Sequence, residues 1–314
     1  MSRADLADRA ARISGHYRAQ GASRAVVMAE ADAAAYALSR LPATFAAVDS
    51  AFAAVVERAP DFAPASVLDV GAGPGGASWA AVQHWPDVAE VALLDNNRAF
   101  LDLALTLAGT SDHPALAAAR PVVADFVSLP TPPEPVDRVP ADLVVASYAL
   151  AEVGVTQAVD VARRLWNIAR GVLVVVEPGT PAGFERIAAV RTTLIAAGGA
   201  ALAPCPHSDA CPVQSPAWRH FGRRLPRSRD HRVIKDASAP FEDEKFAFVA
   251  FARPGLARAA TGERVLSTPR ISKVEAAYRA CTRNGLVDRR IPRRERARFA
   301  AARRFDWGDW AEEA

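Results

Sequence analysis

The chain has 314 residues, 51% of them hydrophobic and 23% charged, with a formal net charge of +3, enough for one large domain with additions. No apolar run reaches membrane-spanning length, and the N-terminus, Met1-Ser-Arg-Ala-Asp-Leu-Ala-Asp8, lacks the apolar stretch of a signal peptide. Three cysteines in a chain this long do not make a secreted disulfide framework, so the expectation is a cytoplasmic protein, without a membrane partner, whose thiols are free or hold metal.

In chain order, residues 3–59 are alanine-rich, with Val26, Val27, Tyr36, Leu38, Phe45, Val48, Phe52 and Val55 at helical spacing. They predict two or three helices, an extension over 1–62 that Pro60 and Pro64 separate from the first strand. The next segment, Ser66-Val-Leu-Asp-Val-Gly-Ala-Gly-Pro-Gly-Gly76, reads as a buried strand over 66–70 entering a glycine turn. Gly71, Gly73 and Gly75 after Asp69 let the backbone turn sharply and approach a ligand where a Cβ would collide. A helix near 75–84 and a strand over 90–94 come next. That strand ends at Asp95, about 20 residues beyond the turn, the spacing that sets an acid on ribose hydroxyls. With Gly76 present, this spacing alone fits a nicotinamide dinucleotide as well as S-adenosylmethionine.

The alternation continues with a helix over 97–108, a strand over 121–124 ending at Asp125, and a proline-rich surface loop from Leu129 to Pro135. A strand over 142–147 then ends beside Ser147 and Tyr148, followed by a helix over 156–169, a strand over 172–176 and a helix over 182–197. Strands and helices in this order predict an α/β doubly wound sheet, parallel and covered on both faces. The series resembles the class I (Rossmann-like) methyltransferases and favours S-adenosylmethionine. The resemblance implies a core over 63–203 in which Asp125 meets the adenine amine and the fourth strand, with Ser147, borders the substrate. The donor-site candidates are therefore Asp69, Gly71, Gly73, Gly75, Asp95, Asp125 and Ser147. No catalytic base stands out. Ala146-Ser-Tyr-Ala149 replaces the Asn/Asp-Pro-Pro-aromatic signature of amine-directed enzymes, and Glu177 either faces substrate or caps helix 182–197.

Charge is uneven: residues 201–314 hold 23 Lys and Arg against 14 Asp and Glu, leaving the first 200 residues acidic. Nearly all of that positive charge is arginine, which suits bidentate phosphate contact and base stacking and points to nucleic acid. The candidate RNA contacts are Arg223, Arg224, Arg227, Arg289, Arg290, Arg293 and Arg294, the last ones on a helix over about 292–304. Ordinary coding bias explains arginine over lysine but not the asymmetry.

The stretch Ala203-Pro-Cys-Pro-His-Ser-Asp-Ala-Cys-Pro212, then Trp218-Arg-His-Phe221, Glu244-Lys-Phe246, Cys281-Thr-Arg-Asn-Gly-Leu286 and Trp307-Gly-Asp309, resembles the methyltransferase-like assembly factors of the mitochondrial small ribosomal subunit and their bacterial relatives. The resemblance runs through most of the chain. It implies binding of S-adenosylmethionine and small-subunit ribosomal RNA in ribosome assembly and translation, with a cysteine-containing insertion and last core strands over 204–253 and a basic extension over 254–314. It also implies an iron–sulfur cluster on four cysteines, three of which fall on Cys205, Cys211 and Cys281. The remaining position is Arg219, which cannot ligate iron, so His207 or His220 stands as a fourth ligand, or a Cys₃His zinc site replaces the cluster. An alternative is an active RNA methyltransferase without an assembly role, with Ser147, Tyr148 and Glu177 at the acceptor.

Overall fold

A computed structural model describes residues 2–18, 23–128, 141–258 and 261–312; the proline-rich loop expected after 129 lies outside them. Helices α1 (Arg3–Arg18), α2 (Glu30–Ser39) and α3 (Leu41–Arg58) precede the sheet, as the alanine-rich periodicity predicts. The alternating core comes after them: β1 (Ser66–Val70), α4 (Gly76–His84), β2 (Glu90–Asp95), α5 (Arg98–Ala108), α6 (Pro114–Ala117), β3 (Arg120–Val123), β4 (Ala141–Ser147), α7 (Val155–Ile168), β5 (Ala169–Pro178), α8 (Pro181–Ala196) and β6 (Ala200–Ala203). Then come β7 (Phe221–Pro226), α9 (Arg229–Ile234) and the long β8 (Phe241–Ala252).

These strands make one sheet in the order β3-β2-β1-β4-β5-β8-β6, with β7 pairing the free end of β8 beyond β6. β1 to β5 are parallel, while β8 runs antiparallel to β5, β6 and β7. Five parallel strands with one reversed strand inserted before the last edge make this the α/β, doubly wound, class I methyltransferase sheet. The sequence explains why it is buried on both faces. Val67, Leu143, Val145, Val172 and Val174 point into a layer with Val48, Phe52 and Val55 of α3, whereas Leu68, Val70, Val144, Leu173 and Val175 face Leu165 and Trp166 of α7 and Ile187 and Leu194 of α8. Successive residues thus serve opposite layers, which is why these strands read as continuous apolar runs.

Residues 262–312 form a second, antiparallel sheet of five strands: β9 (Gly262–Val265), β10 (Arg270–Ile271), β11 (Glu275–Thr282), β12 (Gly285–Pro292) and β13 (Trp310–Glu312), ordered β10-β11-β9-β13 with β12 on β11. The expected helix over 292–304 forms only as α10 (Arg296–Ala302), because β12 continues to Pro292. Arg289 and Arg290 therefore lie on a strand.

Arg264 of β9 ties this sheet to the core and is 2% exposed. It reaches Glu57 of α3 at 2.9 Å and donates to the carbonyls of Pro204 and Gly308 at 3.2 and 2.8 Å. A fixed fork of donors serves three segments at once.

Candidate functional site

A cavity of about 400 Å³ opens at the carboxyl ends of β1, β2, β4 and β5, where open α/β sheets bind ligands, and its size suits a small cofactor. Gly71, Gly73, Asp95 and Ser147, four of the seven donor-site candidates, line it. The glycines do different work. A Cβ on Gly71 would lie 2.5 Å from Cβ of Ala149, so that glycine serves close packing of the β4 loop. Gly73, at φ +52°, has nothing within 4 Å of where its Cβ would be; its open side is the cavity. Gly75, at φ +85°, starts α4 and is not part of the lining.

Asp95 is 6% exposed and accepts from the Gly73 and Asn97 amides, each at 2.8 Å. Those two bonds fix the glycine turn against the end of β2 and hold the carboxylate at the cavity wall. Burial pushes its pKa up against the pull of these amides. Asp69 lies behind the turn, buried, accepting from the Ser78 amide and hydroxyl at 3.1 and 3.0 Å. It organises the start of α4. Asp125 is exposed and accepts from the Val127 amide at 2.9 Å; its neighbour Phe126 lines the cavity instead.

Burial with no cationic partner raises the Asp69 carboxyl to about 7. Its folded value thus exceeds the unfolded one, so the stability it contributes is complete below about pH 4 and is lost as pH rises toward 7. Asp69→Asn keeps an oxygen that accepts from Ser78 and carries no charge. We expect this variant to flatten the decline of stability between about pH 4 and pH 7, measured by urea unfolding across that range. An unchanged pH profile would show that Asp69 titrates normally.

The far wall of the cavity comes from parts of the chain without any motif. Ser14 and Tyr17 of α1, Tyr36 of α2 and Arg40 just after it cover the opening. Tyr36 and Arg40 are four residues apart, and the sequence marks Tyr36 only as part of the apolar helical spacing. Apolar residues of α1 and α2 hold this cover down by packing on Phe100 of α5 and Ile234 of α9. Tyr148 turns the chain off β4 at φ +59°, a backbone conformation costly for a tyrosine and found where a site over-determines it. Its hydroxyl donates to Glu244 at 2.7 Å, and Arg40 stands 3.6 Å from the same carboxylate.

Glu177 neither faces the cavity nor caps α8. It is fully buried and accepts from Arg186 Nε at 2.7 Å, while Thr180 caps the helix by accepting from the Gly183 amide. Burial outweighs the guanidinium and lifts the Glu177 carboxyl to about 7.

The cysteines gather on the other side of β8. Cys205 and Cys281 are buried and Cys211 is partly so. Arg219, itself 6% exposed, directs its guanidinium at Cys205 Sγ, 3.6 and 3.7 Å away. Burial would lift the Cys205 thiol, but Arg219 and Arg191 hold it below its ordinary value. His207 Nε2 is 3.8 Å from Cys281 Sγ, whereas His220 packs against the rings of Trp218 and Trp307. Among the described residues no group of three or more His, Cys, Asp or Glu is placed to hold a metal ion. Arg219, a cation that cannot be a ligand, lies against the Cys205 sulfur.

Of the arginines expected to meet RNA, Arg224 is bidentate to Asp243 at 2.7 and 2.8 Å, Arg227 pairs with Glu242, Arg289 with Glu263 and Arg290 with Glu275. Arg223, Arg293 and Arg294 are exposed and make no ion pair among the described residues. A broader groove of about 760 Å³ lies on the C-terminal sheet, but Arg279 and Arg289 in its wall are neutralised by Asp288 and Glu263. The cavity at the glycine turn is the better candidate for a small ligand.

The sequence profile described as "Mitochondrial small ribosomal subunit Rsm22" matches residues 30–311, nearly the whole chain. The chain belongs to the Rsm22 family. A curated relative, the human "Ribosome assembly protein METTL17, mitochondrial", is 28% identical over 292 residues, covering 87% of this Rsm22-family chain and 61% of the relative. The chain therefore spans about three fifths of that protein's length. Among solved structures, magnesium protoporphyrin IX methyltransferase from Synechocystis PCC 6803 with bound SAM is similar at a TM-score of 0.42 and 16% identity, covering 68% of this chain and 80% of that one. TrmK from M. capricolum with S-adenosylhomocysteine is similar at a TM-score of 0.37 and 7% identity, covering 62% and 64%. No helix among the described residues is long and apolar enough to cross a membrane.

Proposed function

We propose that this Rsm22-family chain binds S-adenosylmethionine and small-subunit ribosomal RNA and acts in ribosome assembly, a binding factor on a methyltransferase fold. The observation that carries the cofactor reading is the cavity in which Gly73 leaves its open side to a ligand and Asp95 is fixed beside it by two amides. The residues fit the group. Gly73 supplies the backbone approach, Asp95 the acceptor for ribose hydroxyls, and Tyr17, Tyr36, Phe100 and Phe126 the aromatic walls. When bound, the sulfonium would supply an electrophilic methyl group.

The carboxylates that line the cavity are both committed to backbone amides: Asp95 accepts from Gly73 and Asn97, and Glu152 accepts from Ser23 at 3.0 Å. That favours binding over base-assisted methyl transfer. The assembly role rests on family membership and on METTL17. Its test is ultraviolet crosslinking of the tagged protein in cells, with sequencing of the bound RNA. A sharp footprint on small-subunit ribosomal RNA is expected, and no enrichment over a mock sample overturns the reading.

The RNA contact is expected to run through the cations without an acidic partner. Reversing Arg223, Arg293 and Arg294 to Glu should weaken binding to a small-subunit RNA fragment and reduce the slope of log affinity against log salt by roughly one per arginine. Reversing Arg224 or Arg289, already neutralised, should alter stability more than the salt slope. Filter binding over a salt series separates the two, and equal slopes for both sets would locate the RNA elsewhere.

A further inference from the structure

The segment between β6 and β7 carries two of the three cysteines and a buried arginine that meets one of them. Cys205 lies just beyond β6, Cys211 is six residues on, and Cys281 lies on β11 of the C-terminal sheet. Arg219 lies on the segment's return toward β7, buried, with two guanidinium nitrogens on the Cys205 sulfur. Arg191 of α8 closes the other side and is 2% exposed, donating to the carbonyls of His207 and Asp209 at 2.9 and 2.7 Å. His207 in turn reaches Cys281 at 3.8 Å. The cluster therefore connects α8, the loop after β6 and β11 through contacts centred on fixed positive charge.

We infer that the Arg219 guanidinium takes the place of a metal centre in this chain, as a buried, metal-free clasp that closes the segment between β6 and β7 on Cys205, while His207 of the same segment meets Cys281 of the C-terminal sheet. A metal–thiolate site is a compact cation surrounded by sulfur. A guanidinium meets the Cys205 sulfur with a delocalised charge and several donors, and it needs no ion. It also excludes one. A metal entering among these thiols would meet the buried Arg219 charge at contact distance and would find no fourth thiolate at position 219. Arginine here is thus a replacement for the metal as well as the loss of a ligand.

The full-length protein, purified without oxygen, is analysed for iron, acid-labile sulfide and zinc, before and after incubation with ferrous iron plus sulfide or with zinc. The expected result is a folded protein that retains none of them through gel filtration and whose unfolding temperature is the same with and without a chelator. Stoichiometric iron and sulfide, or stoichiometric zinc, overturns the proposal. Arg219→Cys is the converse measurement: it completes four thiols and is expected to take up about four irons per chain, with visible thiolate-to-iron absorption. An Arg219→Cys protein that holds no metal shows that the guanidinium is not what occupies the site. If that variant does not fold, Arg219→Lys serves, keeping the charge without the planar fork. It should remain metal-free and unfold several degrees lower, and a Lys variant as stable as the native chain overturns the clasp.

Discussion

Gly73→Arg is expected to abolish S-adenosylmethionine binding at the proposed site while leaving the chain folded. The left-handed φ of +52° at this position costs a non-glycine residue about 1–2 kcal/mol, a small part of a domain's stability. Nothing lies within 4 Å of the new Cβ, so the arginine meets no protein atom at its root and extends into the cavity. It fills the space the ligand needs and brings a cation against a sulfonium. That overlap should cost roughly 100-fold or more in affinity, about 2.8 kcal/mol. Calorimetric titration with S-adenosylmethionine and a thermal shift with and without it read the two effects apart. The native protein should gain about 2.7 kcal/mol at a ligand concentration 100 times Kd and the variant none. Gly71→Ala should do the opposite. Its Cβ meets Ala149 at 2.5 Å, so folding suffers first. Native-like ligand affinity in Gly73→Arg would remove the glycine turn from the site.

The sheet was legible because its signals are local. A Val/Leu strand, a glycine turn and an acid at the next strand end need only about 30 residues of context, and the observed β1, α4, β2 and α5 begin and end within about a residue of the periodicity's limits. What failed was any inference that needed to know which polar side chain is buried. The excess of arginine in the basic third points to nucleic acid, yet Arg219 and Arg264 are among the most buried side chains there, and Arg186 and Arg191 are buried in α8. In sequence they look like Arg223 or Arg293. The cavity's outer wall was hidden for a different reason: Tyr17, Tyr36 and Arg40 reach it from helices 30 or more residues before the glycine turn, through packing on Phe100 that no spacing rule encodes.

Arg186→Met is expected to cause the largest loss of stability among these changes. Its partner Glu177 is completely buried and Arg186 is 8% exposed, so truncating the guanidinium leaves a carboxylate with no countercharge and no water. Breaking such a pair by removing one member costs about 3–5 kcal/mol, far more than an exposed ion pair is worth. Even with Arg186 present, burial lifts the Glu177 carboxyl to about 7. A raised folded value gives stability that is complete below the unfolded value near 4.5 and is lost as pH climbs toward 7. Without the arginine the native carboxyl resists charging further, so the deficit should be small at pH 5, where it keeps its proton, and greatest at pH 8. The double variant Glu177→Gln/Arg186→Met removes both charges from the interior and should recover most of the loss at pH 8. Urea unfolding of the native, single and double forms at both pH values decides the matter. A deficit of equal size at pH 5 and 8, unrelieved by Glu177→Gln, would assign Arg186 a packing role in the cavity wall and free Glu177 from the pair.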